Sequence, residues 1–272
     1  MFEEFYGLST KPFSKTPDPK FLFLSRNHEE ALARLQYAVE EKEMILLTGE
    51  VGCGKTTITR ALMDALDDRY RVITIINPVL SPAQFLRTIA KRMDINIPSV
   101  YKADLLDAIY EKVYHDHESG ATHVIIIDEA QLIPTKDTFE EIRLLTNFQL
   151  DYTNLLSIVL VGQTDLRRRL AHKTYLPLRQ RIGLFYHLGP ISEAEIKGYI
   201  MFRLMKSGRE EVLFTDAALA SLHRYSGGVP RVINSIATSA LLDGFSKEIT
   251  IIDELLIEDA VRELGLNGYR EN

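Results

Sequence analysis

Apolar residues recur in two different patterns along this chain, and the change from one to the other divides it into two regions. As far as residue 190, short uninterrupted apolar runs alternate with segments in which apolar residues recur at every third or fourth position. Runs of the first kind are typical of strands buried on both faces, and the spacing of the second kind is typical of helices. Beyond residue 190 only the helical spacing continues.

The first region predicts an α/β fold with a parallel sheet of five strands flanked by helices. The predicted strands lie at 44–48, 71–76, 124–127, 155–161 and 183–188. The predicted helices begin at Asn27, which has a capping-box spacing to Glu30, and then cover 81–93, 101–117 and 137–148, with another after the fourth strand. Residues 1–26 form an arm rich in aromatic residues and proline, without periodicity, and we expect this arm to pack over the core.

The second region predicts a small all-helical domain. Ser192 and Glu195 have the spacing of a capping box, and the helix that they open has apolar residues on one face. Further helices are predicted at 216–225, from Pro230 onward, and at 253–264. The domain organisation predicted from these patterns is a core at 1–190 and a helical domain at 191–272.

Composition and charge narrow the class of protein. The chain has 272 residues, of which 46% are hydrophobic and 26% charged, as in a soluble globular protein. Its net charge of −6 does not favour nucleic acid binding over the whole surface, although a local basic patch could still bind it. The single cysteine, Cys53, has no disulfide partner in the chain, and the acidic start of the chain lacks the apolar segment of a secretory signal. We therefore expect a cytoplasmic protein.

The loop after the first strand carries the clearest chemical signal. It has the pattern G-x-x-x-x-G-K-[ST] between a predicted strand and a predicted helix, which is the context of a phosphate-binding P-loop. Its residues, with the threonine that follows, are Gly49, Glu50, Val51, Gly52, Cys53, Gly54, Lys55, Thr56 and Thr57. Glycines let backbone N–H groups turn toward a polyphosphate, Lys55 would contact the β- and γ-phosphates, and the Thr56 hydroxyl would bind Mg²⁺. The motif predicts a nucleotide-binding protein, with Cys53 as a small loop residue rather than a redox sensor.

Acidic and amide side chains follow two of the other predicted strands. Asp128 and Glu129 come directly after an apolar run with four β-branched residues, downstream of the P-loop, which is the Walker B arrangement. Asp128 would hold Mg²⁺ and Glu129 would orient and deprotonate the attacking water. Gln163, after the fourth strand, could bridge the γ-phosphate and that water, or could be a polar strand end without a further role.

The order of strands, P-loop, acidic pair, strand-end amide and helical domain resembles the AAA+ ATPases. The resemblance implies a P-loop NTPase fold followed by a helical lid domain. Gln163 matches the sensor-1 position, and Arg231, in the segment 226–231, matches the sensor-2 arginine that points at the γ-phosphate. Arg181, in the segment 178–182, resembles an arginine finger that reaches the nucleotide of a neighbouring subunit, and Asn77 matches a position that restrains the catalytic glutamate.

Within the AAA+ ATPases, this sequence is similar in more detail to the ExeA type, which is the general secretion pathway protein A family. The segments that carry this similarity are 5–8, 11–13, 16–19, 21–23, 48–52, 127–131, 161–163 and 225–231. Members of that family continue into a membrane helix and a periplasmic peptidoglycan-binding part. This chain is therefore expected to be either a fragment of such a protein or a free-standing relative.

Two functions follow from the resemblance. The first is an ATPase that assembles into a homo-oligomeric ring and acts on a protein client or a membrane complex at the cell envelope. The second is a nucleic-acid-associated AAA+ protein of the transposition-helper or origin-recognition type, for which the run Arg167-Arg168-Arg169, extended by Lys173, is the candidate DNA contact. The acidic net charge of −6 favours the first function over nucleic acid binding. Arg179 is the rival of Arg181 as the arginine finger, and the presence of Glu129 with these arginines disfavours a nucleotide switch without turnover.

Overall fold

The computed structural model describes residues 2–14, 19–99 and 101–266. The chain divides into two compact units, which are described separately below. The first unit comprises Met1–Glu29, Glu50–Thr57 and Gly189–Asn272, and the second comprises Glu30–Gly49 and Ile58–Leu188. The domain boundary predicted at residue 190 stays a prediction. Residues 16–18, part of the N-terminal segment similar to the ExeA-type ATPases, lie outside the described residues.

The second unit is built on a five-stranded parallel sheet, as predicted. Its strands are β1 (Met44–Gly49), β2 (Tyr70–Ile75), β3 (Thr122–Ile127), β6 (Leu156–Gly162) and β7 (Ile182–Leu188). Their spatial order is β2-β3-β6-β1-β7, and every neighbouring pair is parallel. The central strands β1, β3 and β6 are buried on both faces, which explains why they appear in the sequence as continuous apolar runs.

Helices of the second unit cover the sheet, and their side chains complete its core. These helices, including two that begin in the first unit, are α2 (Arg26–Glu40), α3 (Lys55–Ala65), α4 (Pro82–Arg92), α5 (Lys102–Glu118), α6 (Lys136–Leu145), α7 (Thr164–Ala171) and α8 (Leu176–Arg179). Ser81 and Gln84 form a capping box at the start of α4, where Pro82 takes the first helical position. A short hairpin was not predicted from the sequence. Its strands, β4 (Gln149–Leu150) and β5 (Thr153–Asn154), have two residues each, which is too short for a periodic pattern.

The first unit contains the N-terminal arm, the P-loop and the C-terminal helices. The helices are α1 (Phe2–Phe5), α9 (Glu193–Lys206), α10 (Asp216–Ser226), α11 (Pro230–Ser246) and α12 (Glu254–Glu263). The predicted capping box between Ser192 and Glu195 is present. Aromatic residues of the arm are buried among these helices, and the buried Arg203 guanidinium donates to the backbone oxygen of Pro12 at 2.7 Å. The arm is buried as expected, but it packs against the C-terminal helices of the first unit and not over the core predicted at 1–190.

Two details of the predicted helices were wrong. Asn27 is not the residue that caps α2, because the helix already begins at Arg26 and the Asn27 side-chain amide donates to the Pro190 oxygen at 3.1 Å. The arm is not wholly irregular, since it contains α1 and a short 3₁₀ turn at Pro19–Phe21. Among the described residues, no helix is both long enough and apolar enough to cross a bilayer.

Candidate functional site

The P-loop, in the first unit, adopts a conformation that requires glycine at two positions. Gly52 and Gly54 have φ angles of 88° and 98°, a backbone region that is unfavourable for residues with a side chain. A Cβ atom on Gly52 would lie 2.6 Å from the Cβ of Arg231, and the backbone N–H of Arg231 donates to the Gly52 oxygen at 3.3 Å. The start of α11 therefore packs directly on the P-loop, leaving no space for a side chain at Gly52.

His28, from the start of α2, holds the other side of the same loop. Its Nε2 lies 3.0 Å from the backbone oxygen of Cys53, and its Nδ1 lies 2.6 Å from the Ser25 hydroxyl oxygen. Because a carbonyl oxygen only accepts, Nε2 carries the hydrogen, and Nδ1 accepts from the hydroxyl of Ser25. Burial lowers the pKa of His28, while its hydrogen bond to Cys53 opposes that shift. This contact gave no sequence signal, because His28 lies outside the motif.

Lys55, Thr56 and Cys53 differ in their surroundings. Lys55, at the first position of α3, is buried, and its Nζ donates to the Glu50 oxygen at 3.0 Å. Thr56 is exposed. Cys53 is buried, and this burial raises the pKa of its thiol. Such an environment is typical of an inert loop residue rather than of a reactive thiolate.

In the second unit, three predicted residues lie at the carboxyl-terminal edge of the sheet. Asp128 and Glu129 follow β3, and Gln163 follows β6, its neighbour in the sheet. The carboxylate of Asp128 accepts from the backbone N–H of Glu129 at 2.8 Å. Glu129 has φ 51° and ψ 39°, a left-handed conformation rare for a residue with a side chain and common at functional sites. The strand β1, which leads into the P-loop, ends at this same edge at Gly49.

Gln131, for which no motif predicted a role, connects the two strand ends. Its side-chain Nε2 donates to the Glu129 carboxylate, and its Oε1 accepts from the backbone N–H of Gln163 at 3.0 Å. The residue that restrains Glu129 in this structure is therefore Gln131. Asn77, predicted for such a role, lies exposed two residues beyond the end of β2, and its role stays a prediction. The only sequence signal for this role was the position of Gln131, two residues after the acidic pair.

The candidate arginines have different environments. Arg181 is exposed, and its guanidinium donates to the Asn147 side-chain oxygen at 2.9 Å. Arg179 lines a cleft of about 290 Å³ together with Arg167 and Phe185. Arg231, in the first unit, is exposed at the start of α11, where Pro230 takes the first helical position.

The run of arginines on α7 does not form one continuous patch. Arg169 donates to the backbone oxygens of Gln131 at 3.3 Å and Ile133 at 2.6 Å, and its guanidinium lies 4.9 Å from the centre of the Phe139 ring. Arg167 and Arg168 are exposed. The predicted basic contact is therefore reduced to these two arginines and Lys173.

Each unit, taken by itself, contains residues whose chemistry suits a nucleotide with magnesium. The glycines of the P-loop keep its backbone free of side chains, and the loop ends in the first turn of α3, where N–H groups favour a phosphate. The hydroxyl of Thr56 in the first unit and the carboxylate of Asp128 in the second are oxygen groups of the kind that Mg²⁺ prefers. Among the described residues, no cluster of His, Cys, Asp and Glu suits another metal ion.

Comparisons with known proteins agree with this description. The fold resembles Drosophila ORC bound to DNA with a TM-score of 0.70 at 18% identity, over 98% of this chain and 67% of that one. It resembles the Aeropyrum pernix ORC2 protein with a TM-score of 0.66 at 19% identity, over 94% of this chain and 71% of that one. A family profile described as AAA domain matches residues 38–170. The protein thus has the P-loop AAA fold and carries an AAA domain, as the sequence predicted.

One curated relative matches most of this chain. The chain is 40% identical over 250 residues to general secretion pathway protein A of Aeromonas hydrophila, an alignment that covers 91% of this chain and 45% of that protein. This chain therefore carries an AAA domain and is similar to general secretion pathway protein A over most of its own length. It spans less than half of the length of that relative.

Proposed function

We propose that this protein hydrolyses ATP to ADP and phosphate and uses the turnover to assemble or remodel a protein complex. The observation that carries the proposal is the P-loop backbone, in which Gly52 and Gly54 leave room for a polyphosphate at the start of α3. Each remaining role is assigned by the chemistry of its residue and by its match to the AAA+ pattern.

In the proposed reaction, the oxygen of a water molecule attacks the γ-phosphorus, the bond to the β-phosphate oxygen breaks, and Glu129 takes the proton. Lys55 and the N–H groups of residues 49–57 bind the β- and γ-phosphates, and Gln163 and Arg231 orient the γ-phosphate and the water. A magnesium ion, held by Thr56 and Asp128, would neutralise charge that develops on the phosphate oxygens.

The protein is proposed to act as a homo-oligomer, since the cation supplied by Arg181, or by its rival Arg179, would complete a neighbouring subunit's site. The relationship to general secretion pathway protein A supports a protein client in secretion or at the cell envelope, reached from the cytoplasm, where ATP is available. In the alternative, nucleic-acid-associated function, Arg167, Arg168 and Lys173 would contact phosphates.

Replacing the proposed base tests the enzymatic function. Glu129→Gln keeps the shape of the side chain but cannot accept a proton, so phosphate release should fall by roughly 10²–10⁴-fold while ATP binding persists. The matched control is Glu210→Gln, the same change at an exposed position of the first unit, which should hydrolyse normally. Turnover of Glu129→Gln at the wild-type rate would exclude Glu129 as the base.

Two further measurements separate the client classes. The Glu129→Gln variant, held with ATP, should retain a protein client in a pull-down and release it when ATP is replaced by ADP. Stimulation of turnover by DNA, weakening steeply as salt rises, would instead support the nucleic-acid function.

A further inference from the structure

We propose that Gln131 is a positioning residue that holds the Glu129 carboxylate in register with the end of β6, an inference that rests on the proposed ATPase function. The side chain of Gln131 spans two strand ends. On one side Nε2 donates to the Glu129 carboxylate, and on the other Oε1 accepts from the Gln163 N–H at 3.0 Å. The proposed base and the proposed sensor are thereby joined through one amide.

The orientation of this amide is determined by its partners. A backbone N–H can only donate, so the atom facing Gln163 must be the oxygen of Gln131. The nitrogen then faces Glu129, whose ionised carboxylate can only accept. Reversing the amide would break both hydrogen bonds, so Gln131 has one favourable orientation.

The surroundings of Gln131 also limit where it can move. A Cβ atom on Gly162 would lie 2.8 Å from the Gln131 oxygen, so the absence of a side chain at Gly162 leaves the space that the amide occupies. The backbone oxygen of Gln131 accepts from the Arg169 guanidinium, which also binds Ile133. The 3₁₀ turn Ala130–Leu132 is therefore held at its backbone, and the Gln131 side chain extends from a fixed point.

Glu129 depends on such a restraint because its own backbone is strained. A left-handed residue with a side chain persists when its surroundings hold it there, and such residues cluster at active sites. Only a narrow range of carboxylate orientations directs an oxygen at a water in position for attack, and a neighbouring donor that fixes the orientation raises the fraction of competent molecules. Gln131 provides that donor without approaching the substrate itself.

Three substitutions distinguish the two hydrogen bonds. Gln131→Ala removes both. Gln131→Glu keeps an acceptor for the Gln163 N–H but places a second carboxylate against Glu129. Gln131→His retains one donor and one acceptor when neutral and is the conservative replacement. The matched control is Gln149→Ala, at an exposed glutamine in the hairpin of the same unit.

In phosphate-release assays, we expect Gln131→Ala and Gln131→Glu to lower turnover by about 10- to 100-fold, as loss of an orienting partner typically does. ATP affinity should stay within about threefold of wild type, because the interaction acts on the transition state rather than on binding. Gln131→His should recover part of the turnover, and Gln149→Ala should match wild type. In the Glu129→Gln background, Gln131→Ala should cost nothing further, since it acts through Glu129.

A measurement without nucleotide tests the geometry itself. Hydrogen exchange of the Gln163 backbone amide should accelerate in Gln131→Ala and stay near wild type in Gln131→Glu, although both variants lose turnover. Equal exchange of this amide in wild type, Gln131→Ala and Gln131→Glu would overturn the proposed bridge. Full turnover of Gln131→Ala would also overturn it, and so would a further loss of turnover when Gln131→Ala is added to Glu129→Gln. If wild type fails to hydrolyse ATP, the proposed function fails as well, whereas an active wild type with an active Gln131→Ala refutes only this inference.

Discussion

Replacing His28 by alanine tests how the P-loop is held in the first unit. The change removes the imidazole that donates to the Cys53 oxygen and accepts from the Ser25 hydroxyl. It leaves α2 intact, because alanine is a strong helix former. The loop backbone at Cys53 loses a fixed contact, so nucleotide affinity should fall together with stability.

The size of the effect follows from the burial of this hydrogen bond. A buried carbonyl oxygen that loses its donor costs about 1–3 kcal/mol, more than the net value of an average hydrogen bond. We therefore expect His28→Ala to lower the free energy of unfolding by about that amount. His28→Gln can still place an N–H near Cys53 but loses the acceptor for Ser25, so its loss should be intermediate.

The same histidine predicts the direction of a pH effect. Burial holds the pKa of His28 below its ordinary value of 6.5, so the unfolded chain takes up the proton first as pH falls. The contribution of neutral His28 to stability is complete above pH 6.5 and is lost as the pH falls from 6.5 toward the lower folded-state pKa. Burial also lowers the pKa of His123, which adds a slope of the same sign. The difference between wild type and His28→Gln isolates the part due to His28.

Urea unfolding followed by circular dichroism is the suitable assay, because the chain has no tryptophan. His115→Ala is the matched control, since the side chain of His115 is 79% exposed. The explanation is refuted if His28→Ala unfolds at the same urea concentration as His115→Ala, or if wild type and His28→Gln lose stability equally between pH 7 and pH 5.

Three further predictions concern the P-loop and the arginine finger. Lys55→Ala removes the charge that would face the phosphates, so ATP affinity measured by calorimetry should collapse, and near-normal binding would contradict the P-loop assignment. Gly52→Ala should lower both thermal stability and ATP affinity because its Cβ would meet Arg231, whereas Gly120→Ala, with a similar φ of 84° and no neighbouring atom within 4 Å, is the control for backbone strain alone. Arg181→Ala should bind ATP but hydrolyse it roughly 10³–10⁵-fold more slowly. Mixing it with Lys55→Ala should restore part of the turnover, and full turnover of Arg181→Ala alone would show that Arg181 has no role in a neighbouring subunit's site.

The sheet and the helical region could be predicted because their signals are local. Each central strand is buried on both faces, so its apolar run is visible without any knowledge of its neighbours. Helix α4 has its capping box and α11 its N-terminal proline within the sequence that forms them. The boundaries moved by one to three residues, as expected where helix ends are not marked by a strong cap.

The contacts that hold the candidate site were not predictable in the same way. The hydrogen bond from His28 to Cys53 joins residues 25 positions apart, and that from Gln163 to Gln131 joins residues 32 positions apart. In each pair one residue, His28 or Gln131, was given no role by the motifs, and polar residues of this kind occur on any surface. Motif spacing identifies residues that would contact the substrate, whereas the residues that position them depend on the tertiary fold.

The three consecutive arginines on α7 show how a charge run can mislead when the helix is ignored. Successive residues of an α-helix are about 100° apart, so three in a row cannot share one face. Arg167 and Arg168 face solvent, whereas Arg169 holds the turn that contains Gln131. An Arg169 substitution would disturb Glu129 through that turn and so lower turnover even if no nucleic acid were ever bound. A test of the nucleic-acid alternative must therefore change Arg167 and Arg168 and leave Arg169 in place.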